Sequence, residues 1–254
     1  MAALRVEKNG TLASIVFSVE KGLNILSAGV LKELAAAWDE VEKSGARVCI
    51  LRGEGKAFLA GANIKEMTAF DGQKAREFAA LGHSVFATIE NSDVVSIAAI
   101  HGACMGGGCE LALACDIRIG SAGMAIGQPE VNIGLIPGFG GSQRLPRVVG
   151  QGWALRMILS GEPLNEAQAL AIGLVTEIGP VEDLAARAEK LARTILSRGP
   201  VAVKTAKRLT RGALNTPLSA GLDAEAQGFA KTFECGEAKE GTAAFIEKRA
   251  PKFS

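Results

Sequence analysis

"VVSIAAIHGACMGGGCELALACDIRIG", residues 94–120, runs from an apolar stretch into a glycine cluster and then into a second apolar stretch that carries a carboxylate, Glu110. VVSIAAI (94–100) is short and rich in β-branched residues and reads as a buried strand. A short helix follows from Gly107 or Gly108 to Ala114, and CDIRIG (115–120) opens a further strand. Working outward, RVCILRG (47–53) is another buried strand. The helix before it, Val30 to Lys43, places Leu31, Leu34, Trp38 and Val41 at helical spacing. Residues 73–90 form a second amphipathic helix through Phe78, Leu81, Val85 and Ile89, and the first twenty residues alternate like a strand pair from the third residue. Strands alternating with helices in this way imply an α/β fold with parallel pairing.

The character changes near residue 180. From PVEDLAARAEKLARTILSRGP (180–200) onward the pattern is helical, with breaks at Pro200, Asn215–Pro217 and Cys235–Gly236. The expected division is an α/β core over 1–195 and a helical region over 196–254. A region that small buries little core alone and is expected to pack on the core or on another subunit.

Composition bounds the function. Apolar residues make up 48% and charged residues 22%, ordinary for a globular protein with a sizeable core. The formal charge of +1 gives no global attraction for nucleic acid or a membrane surface. No apolar run approaches the ~18 residues of a membrane span, and the amino-terminal stretch has no signal-peptide pattern, so a cytoplasmic protein is expected. Five cysteines, an odd number in mostly apolar surroundings, fit a reduced compartment.

Several chemistries fail on spacing. Cys104, Cys109 and Cys115 have no second pair or nearby histidine to complete a zinc or iron–sulfur pattern, so no metal is expected. MGGGCE lacks the G-x-G-x-x-G of a dinucleotide turn, and no glycine cluster ends in the Gly-Lys-Ser/Thr of a phosphate-binding loop. There is no G-x-S-x-G elbow, and the chain has two histidines, of which His101 follows a buried strand as a satisfied structural residue would.

A backbone-plus-carboxylate site survives. In KAFLAGANIKEM (56–67), Asn63 can cap a helix and Glu66 can close a capping box, while the small Gly61 and Ala62 leave backbone amides open to a ligand. Gly106 to Gly108 open a second helix whose N-terminal amides favour developing negative charge. Amides from the two loops converging on one oxygen would make an oxyanion hole. Glu110 lies in the first turn of that second helix, and Glu130 follows in IGQPEVNIGLIPGFGGSQRLP (126–146). Two such carboxylates can share a water, one taking its proton while the other delivers a proton to carbon. The same residues also fit two tight turns with packing roles, a helix-stabilising Glu110 and a surface Glu130. Spacing does not place residue 110 against residue 130.

Taken together, KAFLAGANIKEM, IAAIHGACMGGGCELALACDIRI and IGQPEVNIGLIPGFGGSQRLPRVVG resemble the crotonase (enoyl-CoA hydratase/isomerase) superfamily, short-chain hydratases above all. The similarity continues through LSGEPLNEAQALAIGLVTEI (159–178) to EGTAAFIEKRAPKF (240–253), nearly the whole chain. The resemblance implies a spiral of repeated ββα units and a helical C-terminal region used in trimers or dimers of trimers. It implies a coenzyme A thioester substrate with no separate cofactor. It puts oxyanion-hole amides on Ala62 and Gly107 and the acid/base pair on Glu110 and Glu130. Substrate contacts are implied at Lys21, Leu23, Ala60, Ile64, Gly138, Phe139, Phe245 and Lys248. Members of the family that run other reactions often lose one or both glutamates, so retention of both favours addition of water to a 2-enoyl-CoA. Double-bond isomerisation is the nearest alternative. The chain departs from the common pattern in three places: GANI for GADI at 61–64, KGLNIL for the usual first CoA contact at 21–26, and PGFGG for PGAGG at 137–141. Because the family includes an RNA-binding hydratase, the stripe Lys204, Lys207, Arg208 and Arg211 is a candidate nucleic-acid face. The lack of interleaved aromatics and the near-zero net charge argue instead for a solvated face or an anion contact.

Overall fold

A computed structural model describes residues 4–18 and 23–253. The hairpin β1 (Leu4–Asn9) and β2 (Leu12–Phe17) leads to α1 (Ala28–Lys43). Three units then repeat one pattern of long strand, short strand and helix. The first is β3 (Val48–Gly53) and β4 (Ala57–Leu59) with α2 (Ile64–Met67) and α3 (Gly72–Asn91). The second is β5 (Val95–Ile100), β6 (Ala103–Met105) and α4 (Gly107–Ala114). The third is β7 (Ile117–Ser121), β8 (Ala125–Gly127), a 3-10 turn over Glu130–Ile133, and α5 (Gly141–Ser160). Next come β9 (Leu164–Asn165), α6 (Glu166–Ala171), β10 (Ile178–Gly179) and α7 (Leu184–Leu196). The chain closes with α8 (Pro200–Gly212), a 3-10 turn at Ala213–Asn215, α9 (Leu218–Glu234) and α10 (Glu237–Ile246).

The long strands build one sheet in the order β1-β2-β3-β5-β7-β10, and the short ones build another in the order β4-β6-β8-β9. Each turn of the chain therefore lays one strand in each sheet before its helix, which is the spiral of ββα units. Within the long sheet β2, β3, β5, β7 and β10 run parallel, and β4, β6 and β8 run parallel in the short one. Side chains alternate across the long sheet, and helices cover both faces. Val48, Ile50, Val95, Ile97 and Ala99 meet Leu184, Ala188 and Ala192 of α7. Cys49, Leu51, Ala98 and Ile100 face the larger core with α1, α3 and α4. That double cover is why these strands are continuous apolar runs.

Three expectations change. VVSIAAI does not lead straight into the glycines, because the three-residue β6 intervenes. Neither β4, β6 nor β8 was visible in the residue pattern, since three residues are too few to establish a period. The capping box at Asn63 does not form. Its closure requires the Asn63 N–H, and that group already donates to the Leu26 carbonyl at 2.8 Å. Glu66 instead accepts the Ala28 N–H at 3.2 Å, so it caps α1 beside Ser27, which accepts from Val30. The basic stripe of α8 is not a free face either. Lys204 and Arg208 pair with Asp93, Lys207 with Asp116, and Arg211 with both Asp116 and Glu90.

Candidate active site

β4, β6 and β8 lie side by side, and their carboxyl ends release three loops at one place: Ala60–Asn63, Gly106–Gly107 and Gln128–Glu130. Crevices at the carboxyl ends of parallel strands are where α/β folds bind ligands. The first two loops touch, since a Cβ built on Gly106 would stand 3.9 Å from the Gly61 Cα. The same position lies 3.0 Å from Oε1 of Glu130, so the third loop closes onto the second.

The three glycines that begin α4 serve three different needs. Gly106 takes φ 50° to turn the strand into the helix, a left-handed conformation that favours glycine. A Cβ on Gly107 would press on Leu26 and Phe139 at 3.1 Å. A Cβ on Gly108 would overlap the Leu59 carbonyl oxygen, so glycine there lets α4 lie against β4.

Among the described residues, no acceptor is paired with the backbone N–H of Ala62 or of Gly107. Three neighbouring groups are used. The Gly61 carbonyl accepts from Leu26, the Asn63 N–H donates to Leu26, and the Gly106 N–H donates to Gly127, each at 2.8–2.9 Å. Polar backbone at the junction of three loops normally finds a partner. Free donors on two touching loops, one of them opening a helix, are chemically suited to a negatively charged oxygen.

Glu110, one turn further along α4, is 1% exposed. Its Oε1 accepts the Phe139 N–H at 2.8 Å and the Gly141 N–H at 2.7 Å, the latter from the first turn of α5. No salt bridge reaches it among the described residues. Burial pushes its carboxyl up to about 7, the two N–H bonds and Arg144 hold it down, and the charge of Glu130 adds to the rise. Glu130 itself is also raised by burial. The buried Gln128 amide, assigned with its nitrogen toward that carboxylate, donates to both Glu130 oxygens at 2.9 and 3.1 Å. Carboxyls that feel one another's charge share their titration.

The other expected residues fall unequally. Ala60 lies in the first loop, where its N–H is tied to the carbonyl of the buried Asn24, and Ile64 and Leu23 are exposed beside it. Lys21 lies outside the described residues. Gly138 stands in the loop that holds Glu110. Phe139 does not present its ring as an open wall: it is 3% exposed and packs edge-on against Phe78 and Phe86 at 5.0 and 5.7 Å. The space for that ring comes from Gly82, where a Cβ would overlap it. Phe245 and Lys248 are exposed at the end of α10, which packs on α9. Reading of the residues missed Gln128 and Arg144. Gln128 had a signal, a polar residue two positions before Glu130 in an apolar stretch, whereas Arg144 had none.

His101 is satisfied by the Gly55 carbonyl at 3.1 Å. Cys49, Cys104, Cys109 and Cys115 are buried, and burial pushes each thiol up. Among the described residues no three of His, Cys, Asp and Glu are grouped to hold a metal ion. A cleft of about 590 Å³ beside α8 is lined by Asp116, Lys207 and Arg211 and contains neither Glu110 nor Glu130. No helix among the described residues is long and apolar enough to cross a membrane.

Comparison with known proteins gives the family. The family profile described as Enoyl-CoA hydratase/isomerase matches residues 7–254. The chain is 40% identical to a crotonyl-CoA hydratase of Syntrophomonas wolfei over 250 residues, covering 98% of this chain and 96% of that one. It is 39% identical to a short-chain-enoyl-CoA hydratase of Clostridium acetobutylicum, covering 96% and 94%. A crystal structure of an enoyl-CoA hydratase from Bacillus anthracis superimposes with a TM-score of 0.93 at 34% identity, over 99% of this chain and 98% of that one.

Proposed function

The chain belongs to the enoyl-CoA hydratase/isomerase family, and we propose that it catalyses the reversible hydration of a short-chain 2-enoyl-CoA to the 3-hydroxyacyl-CoA. The observation that carries this reading is the pairing of two orphan backbone N–H groups, Ala62 and Gly107, with a buried carboxyl, Glu110, and a half-buried one, Glu130.

The thioester oxygen accepts from the two amides, which stabilise the enolate-like charge that develops there; each such donor is worth about 3 kcal/mol. The β-carbon is thereby made electron-poor. Water held between the carboxyls loses a proton to ionised Glu110 as its oxygen bonds to the β-carbon. Protonated Glu130 gives its proton to the α-carbon on the same face, and the C=C π pair becomes the new C–H bond. One proton has then moved from Glu130 to Glu110, and transfer through the next bound water resets the pair.

Leu23, Ala60, Ile64 and Gly138 border the acyl and pantetheine path in this reading, with Lys21 toward the CoA phosphates. Phe139 bounds the acyl site from behind Gly107. Phe245 and Lys248 serve the adenine end, reached from a neighbouring subunit. The helical region 196–254 joins cores of 1–195 into trimers, single or paired. The exposed apolar residues Leu218, Leu222, Phe229, Phe233 and Ile246 support that role. The reaction uses no metal or cofactor beyond the CoA of the substrate, and we assign it to cytoplasmic acyl-CoA degradation.

The test follows the conjugated enoyl-thioester absorbance of crotonyl-CoA. Wild type is expected to hydrate it, and Glu110→Gln and Glu130→Gln are each expected to lose about 10²- to 10⁴-fold in kcat. A wild type that leaves 2-enoyl-CoAs of every chain length untouched but moves the double bond of a 3-enoyl-CoA would overturn hydration in favour of isomerisation.

A further inference from the structure

The N–H groups that hold Glu110 belong to the loop 139–141, and that loop is itself held by an arginine in the first turn of α5. Arg144 donates from Nη1 to the Phe139 carbonyl at 2.9 Å. Its Nε and Nη2 both donate to Oε2 of Glu90, near the end of α3, at 3.0 and 2.8 Å. The other Glu90 oxygen accepts from Arg211 of α8 at 3.2 Å. Arg211 in turn donates to the Ala114 carbonyl at 2.8 Å, at the far end of the helix that carries Glu110. Cations suit a helix C-terminus, so this contact steadies α4 as well.

We propose that Arg144, clamped by Glu90, is the positioning residue for Glu110: it fixes the 139–141 loop so that two N–H groups converge on one carboxylate oxygen. The inference rests on the reading of Glu110 as a catalytic carboxylate. The planar guanidinium is suited to the task because it spans a carboxylate and a carbonyl at once, which an ammonium does less well. Both partners are mostly buried, with side-chain exposures of 15% for Arg144 and 26% for Glu90, so the pair is poorly screened. The charged or titratable groups facing Glu110 are Glu130 from the 3-10 turn, Cys109 from its own helix, and Arg144 from α5. Of these Arg144 alone is cationic, and it acts with the two N–H groups to favour the ionised carboxyl.

The experiment compares pH profiles of kcat and kcat/KM for crotonyl-CoA hydration in wild type, Arg144→Met, Arg144→Lys and Glu90→Gln, with Glu110→Gln as the reference. Arg144→Met is expected to lose about 10- to 100-fold in kcat at neutral pH, since a small misplacement of a catalytic group has that effect, with KM within about twofold. Its acid limb should move to higher pH, because the lost cation no longer favours the carboxylate. Arg144→Lys should return the limb toward its wild-type position without restoring the rate. Glu90→Gln, which keeps the side-chain shape, should lower kcat in the same direction and serves if Arg144→Met fails to fold. A merely structural role would lower thermal stability and leave the acid limb in place. If Glu110→Gln is inactive while the folded Arg144 and Glu90 variants keep wild-type kcat and acid limb, the positioning role is overturned alone. If Glu110→Gln is active, the catalytic reading of Glu110 falls and the positioning role falls with it.

Discussion

Glu110 and Asp116 stand at opposite ends of one short helix and are treated in opposite ways. Asp116, just past the end of α4, meets Lys207 at 2.8 Å and Arg211 at 2.9 Å and also accepts from Ser96. Glu110, in the first turn, is more deeply buried and has no ion-pair partner among the described residues, only two backbone N–H groups. A buried carboxylate left without a cation costs stability, and a fold keeps such a group when it is needed in a titratable state. The paired cluster joins α8 to the core. The unpaired one is the group to which the proposed reaction assigns a proton exchange.

That contrast can be broken first at Lys207, whose side chain is 7% exposed. Lys207→Met should cost about 3 kcal/mol, the lower end of the range for breaking a buried pair because Arg211 still faces Asp116. It should leave the pH profile of hydration unchanged, as a melting curve and a pH–rate profile would show together. A shifted profile would mean that the chain Asp116–Arg211–Glu90–Arg144 carries the loss of Lys207 through to the loop that holds Glu110.

Glu110→Gln sharpens the comparison from the other side. The folded carboxyl titrates at about 7 against an ordinary value of 4.5, so the folded state holds the proton more tightly than the unfolded chain. Stability from this group is intact below about 4.5 and is lost as pH rises toward 7. Glutamine keeps an acceptor for both N–H groups and does not ionise. The variant should therefore match wild type near pH 4 and exceed it by up to about 3 kcal/mol at pH 8, by denaturant titration at each pH. An equal gain at both pH values would mean that ionisation of Glu110 is not the cause. The smallest effect belongs to Lys204, whose pair with Asp93 is exposed. Lys204→Ala should change stability by less than about 1 kcal/mol, and that small difference should vanish in high salt.

Much of this was legible in the residues, and the illegible part has a physical reason. The strands are buried on both faces over 48–51 and 95–100, so their sequences there are apolar but for Ser96, and α1 and α3 show their buried stripes directly. The glycines at 106–108 announced a close approach, and Glu110 stood out as a charge in an apolar helix. What could not be read was proximity. Twenty residues separate Glu110 from Glu130, and they meet because β6 and β8 are neighbours in a sheet of strands too short to carry a pattern. Arg144 was hidden for the same reason, since its partner Glu90 comes from a different turn of the spiral. Glu66 formed a plausible local motif with Asn63, but a non-local hydrogen bond had taken the N–H that the motif needed.

The ring of Phe139 and the bare α-carbon of Gly82 occupy one compartment between α3 and α4. Their sizes are therefore a single variable divided between two distant positions. A chain with alanine in the place of Phe139 has a vacancy that a side chain on α3 can fill, while bulk at both positions is excluded. Anyone redesigning this part of the fold should move residues 82 and 139 as a pair.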